Sequence, residues 1–425
     1  MARFIRTNLR QFYIGICIVF FNLAVLFVFF NLVAWILIHV WLRWRPDYGL
    51  PAYNPVSTYG YKTMAKAYPG WPQSQVSELM DETWGRLDWG YDPITQVQIR
   101  PYKGRFVNVT AAGYRQGPRA VPWPPDAKHI SVFVLGGSTT FGMGVTDAQT
   151  ISSQLQGLFD KSHATAPVDV YNFGFSAYTS TQELLLYFKF LRMGLRPAIV
   201  IFIDGLNECL WYRNGWLEGD AIAGVLHGVR PPSIVSSLPL VRLAAGVIGV
   251  WKPNPASPPS AVRFVKEKAD TIIGRYDKNR ALTNDLAKCF GTKVLFVWQP
   301  VPMYDYDVKY HFLYKDAVQD ARAFRLRAPL VQAVYPRIEA MYRQGSMGRN
   351  FLWLGNVQRG LRENLYVDSV HYNPALSALI ARNIYDYLID NHWATASGAG
   401  FRPDAIASQP GFEGNGALRR AGCQR

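Results

Sequence analysis

Four short stretches of this chain hold residue types that could carry out attack on a carbonyl. GGSTTFG sets Ser138 behind two glycines, NFGFSAY contains Gly174, DGLNE contains Asn207, and DSVH holds Asp368 and His371 three positions apart. A serine hydroxyl becomes a useful nucleophile only when a neighbouring base takes its proton, and a carboxylate commonly orients that base. The attacked carbonyl oxygen gains negative charge, so such a site also needs donors fixed around it in advance. Ser138 can be the nucleophile, His371 the base and Asp368 its partner. Gly174, with no side chain to cover its N–H, and the Asn207 amide can supply donors.

Each stretch also has a plainer reading. A Gly-Gly-Ser turn is more often a bend or a phosphate loop than a nucleophile. Met143 and Gly144 stand where a P-loop needs Lys and Ser/Thr, and the dinucleotide pattern GxGxxG is absent from this turn. A glycine at a strand end is ordinarily structural, and an asparagine in a loop is usually a turn former. An Asp three residues before a His is common by chance. The chemical reading rests on the conjunction, because each residue falls where a parallel sheet would bring it to one place.

The elements that would do so start at His129. HISVFVLG reads as a buried strand ending at the Ser138 turn, and DAQTISSQLQGLF as a helix capped by Thr146 or Asp147. VDVYNFG and PAIVIFIDG are further strands, the latter almost continuously apolar, as suits a parallel strand covered on both faces. STQELLLYFKFLRMGL is a helix between them. AVRFVKEKADTIIGRYDKNRALTNDLAKCF is helical, TKVLFVWQP a fourth strand, 320–345 a helix and NFLWLG a fifth strand. Asn373 and Pro374 make an N-cap and first helical position for the last helix. The alternation predicts an α/β fold, a doubly wound, mainly parallel five-stranded sheet of flavodoxin-like type. Ligands of such sheets bind outside the carboxyl ends of the strands. Those ends carry Ser138, Gly174 and Asn207, while Asp368 and His371 lie on the loop before the last helix.

The four motifs together resemble the sequence blocks of SGNH (GDSL-like) hydrolases: a Ser turn, a Gly after strand two, a GxND-like turn in GLNE, and DxxH near the C-terminus. VNVTAAGYRQ resembles the Asn…Gly-aromatic-Arg segment that precedes the Ser block in bacterial members. The resemblance covers roughly 105–392. It implies Ser138 as nucleophile and His371 with Asp368 as base and orienting partner. The implied oxyanion hole consists of the Ser138 N–H, the Gly174 N–H and the Asn207 side chain. Gly137 and Glu208 depart from the family's usual Asp at each position, so the chain resembles a divergent branch whose substrate does not carry over. The implied reaction is hydrolysis of acyl (carboxylic) esters on an envelope or extracellular glycan or lipid. An O-acyltransferase built on the same acyl-serine and a non-catalytic glycan-binding scaffold are the alternatives.

Of the 425 residues 49% are hydrophobic and 18% charged, which is the composition of a folded chain. The formal charge of +15 favours anionic partners. No nucleic-acid-binding motif accompanies it, so lipid headgroups are the simpler partner and nucleic acid is not expected. From Gln11 to Leu42 no residue carries a fixed charge, and about 20 apolar residues suffice to cross a bilayer. No small-residue cleavage site follows, so residues 1–45 read as a cytoplasmic stub and an uncleaved transmembrane anchor. Arg3, Arg6 and Arg10 against Arg43 and Arg45 favour a cytoplasmic N-terminus. The expected location is the bacterial inner membrane, single-pass, with the catalytic domain periplasmic or extracellular.

The remaining organisation reads as an irregular lead-in over 46–128, the hydrolase domain over 129–395 with an insertion or lid at 211–260, and a disordered tail over 396–425. SIVSSLPLVRLAAGVIGVW, within the insertion, is too short and interrupted for a second span. Cys17, Cys209, Cys289 and Cys423 show no metal spacing, and no cofactor or metal is expected. Only Cys209 and Cys289 suit a bridge, and two free buried thiols are the simpler state. His129, His163, His227, His311 and His392 read as surface or core residues.

Overall fold

The computed structural model describes residues 2–44, 55–162, 167–210, 238–241, 243, 261–314 and 321–394. The chain divides into two compact units, Met1–Leu50 with Arg230–Pro258, and Pro51–Val229 with Pro259–Arg425.

In the first unit the apolar run forms one helix, α1 (Ala2–Trp44). Its stretch Arg10–Leu37 is long and apolar enough to cross a membrane. Phe20 and Phe21 are 68% and 69% exposed, an arrangement that water disfavours over so long a surface. Asn22 and Asn31 interrupt the apolar run, and Asn31 is hydrogen-bonded on both sides of its amide. Its amide nitrogen donates to the Phe27 carbonyl at 2.9 Å, and its oxygen accepts from the Leu240 N–H at 3.2 Å. Ala34, one turn on, is fully buried. The rest of the 211–260 insertion lies outside the described residues, as do the 396–425 tail, His163 and His227.

The second unit opens with more regular structure than the lead-in's sequence suggests. Helices α2 (Pro55–Met64) and α3 (Gln73–Met80) are followed by a π-helical turn over Asp81–Gly85. Two antiparallel pairs come next, β1 (Trp89–Asp92) with β2 (Gln96–Ile99), and β3 (Tyr102–Lys103) with β4 (Asn108–Val109). These elements are too short to show a sustained period in sequence.

The main sheet is fully parallel. Its strands are β5 (Ile130–Gly136), β6 (Val168–Gly174), β7 (Ile199–Asp204), β8 (Lys293–Trp298) and β9 (Phe351–Trp353), in the order β6-β5-β7-β8-β9. This is the expected fold class. All residues of β5, β6 and β7 are buried. Alternate side chains of each strand feed two separate cores. Phe133, Leu135, Phe173, Phe202 and Phe296 face one, while Val132, Val134, Ile201, Ile203 and Val297 face the other.

The helices cover both faces. Between β5 and β6 run α4 (Ser138–Phe141) and α5 (Ile151–Asp160), and α6 (Ser180–Arg192) follows β6. After β7 come α7 (Leu206–Leu210) and α8 (Ala261–Phe290); α9 (Ala321–Arg343) precedes β9, and α10 (Pro374–Asp390) ends the domain. Leu155 of α5 and Ile380 of α10 join the valine-rich core; Phe190, Tyr276 and Tyr335 of α6, α8 and α9 join the aromatic one. Asn373 caps α10 as its sequence implies, accepting from Leu376 N–H at 2.9 Å. The cap of α5 is instead Thr150, which accepts from Ser153 N–H, whereas Thr146 caps a separate 3-10 turn over Asp147–Gln149. Asp147 is diverted to a buried arginine, described below.

The cysteines also differ from expectation. Cys209 is a free, buried thiol, whereas Cys289 is disulfide-bonded. A 209–289 bridge is therefore absent.

Candidate active site

The strand order reverses direction between β5 and β7, and the crevice at their carboxyl ends is where such sheets bind ligands. Ser138 follows β5 there and Asn207 follows β7. Ser138 opens α4, so its own N–H has no partner inside that helix. Gly137 precedes it with nothing beyond Cα, and a methyl group there would overlap the Asn207 amide nitrogen.

From the other end of the domain, the 368–371 turn reaches the same crevice. Val367 N–H donates to the His371 carbonyl at 2.9 Å and closes the turn. One Asp368 oxygen accepts the N–H groups of Val370 and His371, both at 2.8 Å. The other lies 2.6 Å from His371 Nδ1, and His371 Nε2 lies 2.8 Å from Ser138 Oγ. Burial opposes the charge on Asp368, but the neighbouring His371 and these hydrogen bonds prevail and hold its carboxyl down at about 2. An ionised carboxylate only accepts, so Nδ1 carries the proton and Nε2 presents its lone pair to the serine hydroxyl. The geometry can take a proton from Ser138 as the oxygen attacks. Strand order, motif positions and this relay agree with the resemblance in sequence.

No protein-family model matches the chain, and no curated protein matches it. Among solved structures, a protein of the G-D-S-L lipolytic family from Desulfitobacterium hafniense is 11% identical with a TM-score of 0.34, covering 61% of this chain and 100% of that one. A carbohydrate acetylesterase family member from Sinorhizobium meliloti is 14% identical with a TM-score of 0.31, covering 62% of this chain and 98% of its own. A family 3 carbohydrate esterase from Clostridium thermocellum is 14% identical with a TM-score of 0.31, covering 62% and 97%.

The donors need one correction. The Gly174 N–H is not open; it donates to Asn172 Oδ1 at 3.0 Å. Asn172 Nδ2 in turn donates to the Thr140 carbonyl at 3.0 Å, stapling the end of β6 to α4. A side chain at Gly174 would run into the backbone of Phe141. The glycine therefore serves close packing beneath α4.

The loop beyond it contains a residue that the sequence does not advertise. Ala177 has φ 66°, a left-handed conformation rarely held by a residue with a side chain. Its neighbours pin it on both sides: Phe175 N–H donates to the Gly136 carbonyl at 2.9 Å, and the Tyr178 carbonyl accepts from Asn207 Nδ2 at 2.7 Å. Among the described residues the Ala177 N–H makes no hydrogen bond. Backbone strain of this kind persists where surroundings enforce it and clusters at functional sites. In sequence, nothing marks an alanine for a left-handed backbone.

The segment VNVTAAGYRQ contributes Arg115, whose side chain is completely buried. Nε pairs with Asp147 at 2.9 Å, Nη1 donates to the Phe141 and Gly142 carbonyls at 3.0 and 2.5 Å, and Nη2 to Val145 at 2.6 Å. Asn108 Nδ2 donates to the other Asp147 oxygen at 2.8 Å. One guanidinium thus holds the whole loop that leaves the Ser138 helix. The other described histidines have structural settings. His129 pairs with buried Asp169 at 2.8 Å, His311 is buried against Tyr366, and His392 is exposed.

Proposed function

We propose that this chain is a membrane-anchored serine hydrolase that cleaves acyl esters. The observation that carries this reading is the unbroken relay from Ser138 Oγ through His371 to Asp368, at 2.8 and 2.6 Å. Ser138 Oγ attacks the ester carbonyl while its proton passes to His371 Nε2, and Asp368 steadies the imidazolium. The Ser138 and Ala177 N–H groups and the Asn207 amide face the developing oxyanion, with Ala177 in the place first expected of Gly174. The proton then moves from His371 to the departing alkoxide, which leaves as the alcohol. Water, deprotonated by His371, attacks the acyl-serine and releases the acid.

The apolar helix α1 supports anchoring, since nothing among the described residues covers most of its surface. A covalent tether of this kind confines the domain to the neighbourhood of a bilayer. The substrate class that fits is an acyl ester on an envelope glycan or lipid, on the periplasmic or outer side.

A fluorophosphonate probe tests the nucleophile. The detergent-solubilised wild type should be labelled and Ser138→Ala spared. Equal labelling of the two would remove Ser138 from the mechanism.

A further inference from the structure

The relay between Ser138 and His371 does not stand on the sheet alone. Glu82, 1% exposed, sits in the π-helical turn of the lead-in, with its carboxylate accepting three consecutive backbone N–H groups. They are those of Arg105, Phe106 and Val107, at 2.7, 2.8 and 2.9 Å. Such a carboxylate fixes the turn as firmly as a short loop can be fixed. Two residues on, Trp84 is 5% exposed and meets the His371 imidazole edge to face, with centroids 5.8 Å apart and planes at 71°.

Tyr68, also from the lead-in, donates through its hydroxyl to the Gly144 carbonyl at 2.6 Å. Gly144 closes the loop that leaves the Ser138 helix, at φ 80°. A methyl group on it would lie 2.6 Å from Val367 Cγ2, 2.8 Å from Trp84 Cη2 and 3.1 Å from the Tyr68 hydroxyl. Four residues therefore converge on one point. Two come from the lead-in, one from the serine loop, and one from the base of the 368–371 turn, where Val367 N–H holds the His371 carbonyl.

We propose that Trp84 is a positioning residue for His371, and that the lead-in is by this contact a working part of the active site. The inference rests on the serine-hydrolase reading above. Two hydrogen bonds fix the imidazole within its plane, one at each nitrogen. Neither resists tilting out of that plane. A large, immobile ring against the imidazole supplies that restraint and keeps water from its side. Misplacement of a reacting group by about 1 Å can cost on the order of a hundredfold in rate, so the restraint has kinetic weight.

The test is the second-order rate of labelling by a small fluorophosphonate, measured on the full chain in detergent beside its melting temperature. Trp84→Leu should label about 10–100-fold more slowly, and Trp84→Phe, which keeps a ring there, should recover most of the rate. Trp84→Met serves if the Leu variant does not fold. Val76→Ala opens a cavity at a fully buried position of the same segment, and should melt lower while labelling normally. Wild-type labelling with an unchanged rate in Trp84→Leu overturns this inference alone. So does a Val76→Ala variant slowed as much as Trp84→Leu, since the effect would then be general loosening. A wild type that never labels overturns the serine-hydrolase reading and this inference with it.

Discussion

The side-chain amide of Asn207 donates to the Tyr178 carbonyl at 2.7 Å, tying the residue after β7 to the loop after β6. The same amide nitrogen fills the space that Gly137 leaves open. Asn207 thus meets the Ser138 turn on one side and the strained Ala177 loop on the other. Loss of one preorganised oxyanion donor typically lowers kcat by about 10²–10³. Asn207→Ala should depress kcat on an ester substrate by that order while KM moves little. Thermal melting beside the kinetics separates this from a turn former's role, which would cost stability and leave turnover intact.

Arg115 makes a second prediction. Its buried guanidinium satisfies three carbonyls and Asp147 at once. Breaking such a buried pair by removing one partner costs about 3–5 kcal/mol. Arg115→Met keeps the bulk but strands the Val145 carbonyl and leaves those of Phe141 and Gly142 with only Asn172 Nδ2 and the Val145 N–H, both at 3.3 Å, and should lower the melting point and the fluorophosphonate labelling rate together. Arg115→Lys should rescue little, because a single ammonium cannot reproduce the fork. A Lys variant with wild-type stability would show that charge alone holds the loop.

His311 and Asp368 should each withdraw stability from the domain in acid. Burial holds the His311 imidazole down at about 4, against about 6.5 in an unfolded chain. Between those values the unfolded state binds a proton that the folded state refuses, so stability falls as pH drops from about 6.5 to 4. The difference is worth about 3 kcal/mol. Asp368, held at about 2 against an ordinary value near 4, adds a further loss between about pH 4 and 2. Buried Glu183 and Asp204, whose carboxyls burial pushes well up, contribute in the opposite sense and equally in both proteins, so the His311 contribution is read as a difference. From pH 7 to 4 the wild type should lose melting temperature relative to His311→Phe, and a constant difference between the two would place the titrating group elsewhere.

The parallel sheet was readable because its strands are largely apolar runs separated by helical spacing, and Ser138, Asn207, Asp368 and His371 stand just past those runs or just before the last described helix. What escaped has physical causes. The Gly174 N–H is taken by a side chain two residues earlier, a local bond that no spacing reveals. The left-handed backbone of Ala177 lies between Phe175 and Tyr178, which are held by Gly136 and Asn207, about forty and about thirty residues away along the chain. The lead-in hides its role because Glu82 and Trp84 act through backbone N–H groups and a ring face, in elements too short to show a period. Arg115 stood in a recognisable segment, but only the folded loop shows that it grips three carbonyls.

The proposed nucleophile and base are separated by 233 residues, at the start of α4 and just before α10. A growing chain exposes Ser138 long before His371 has been made; at about 5–20 residues per second the gap lasts roughly 10–50 s. Throughout that interval the serine has no partner to take its proton. On the proposed mechanism reactivity is therefore switched on late, by completion of the domain, and a chain still emerging from the ribosome lacks the base that an attack on an ester requires.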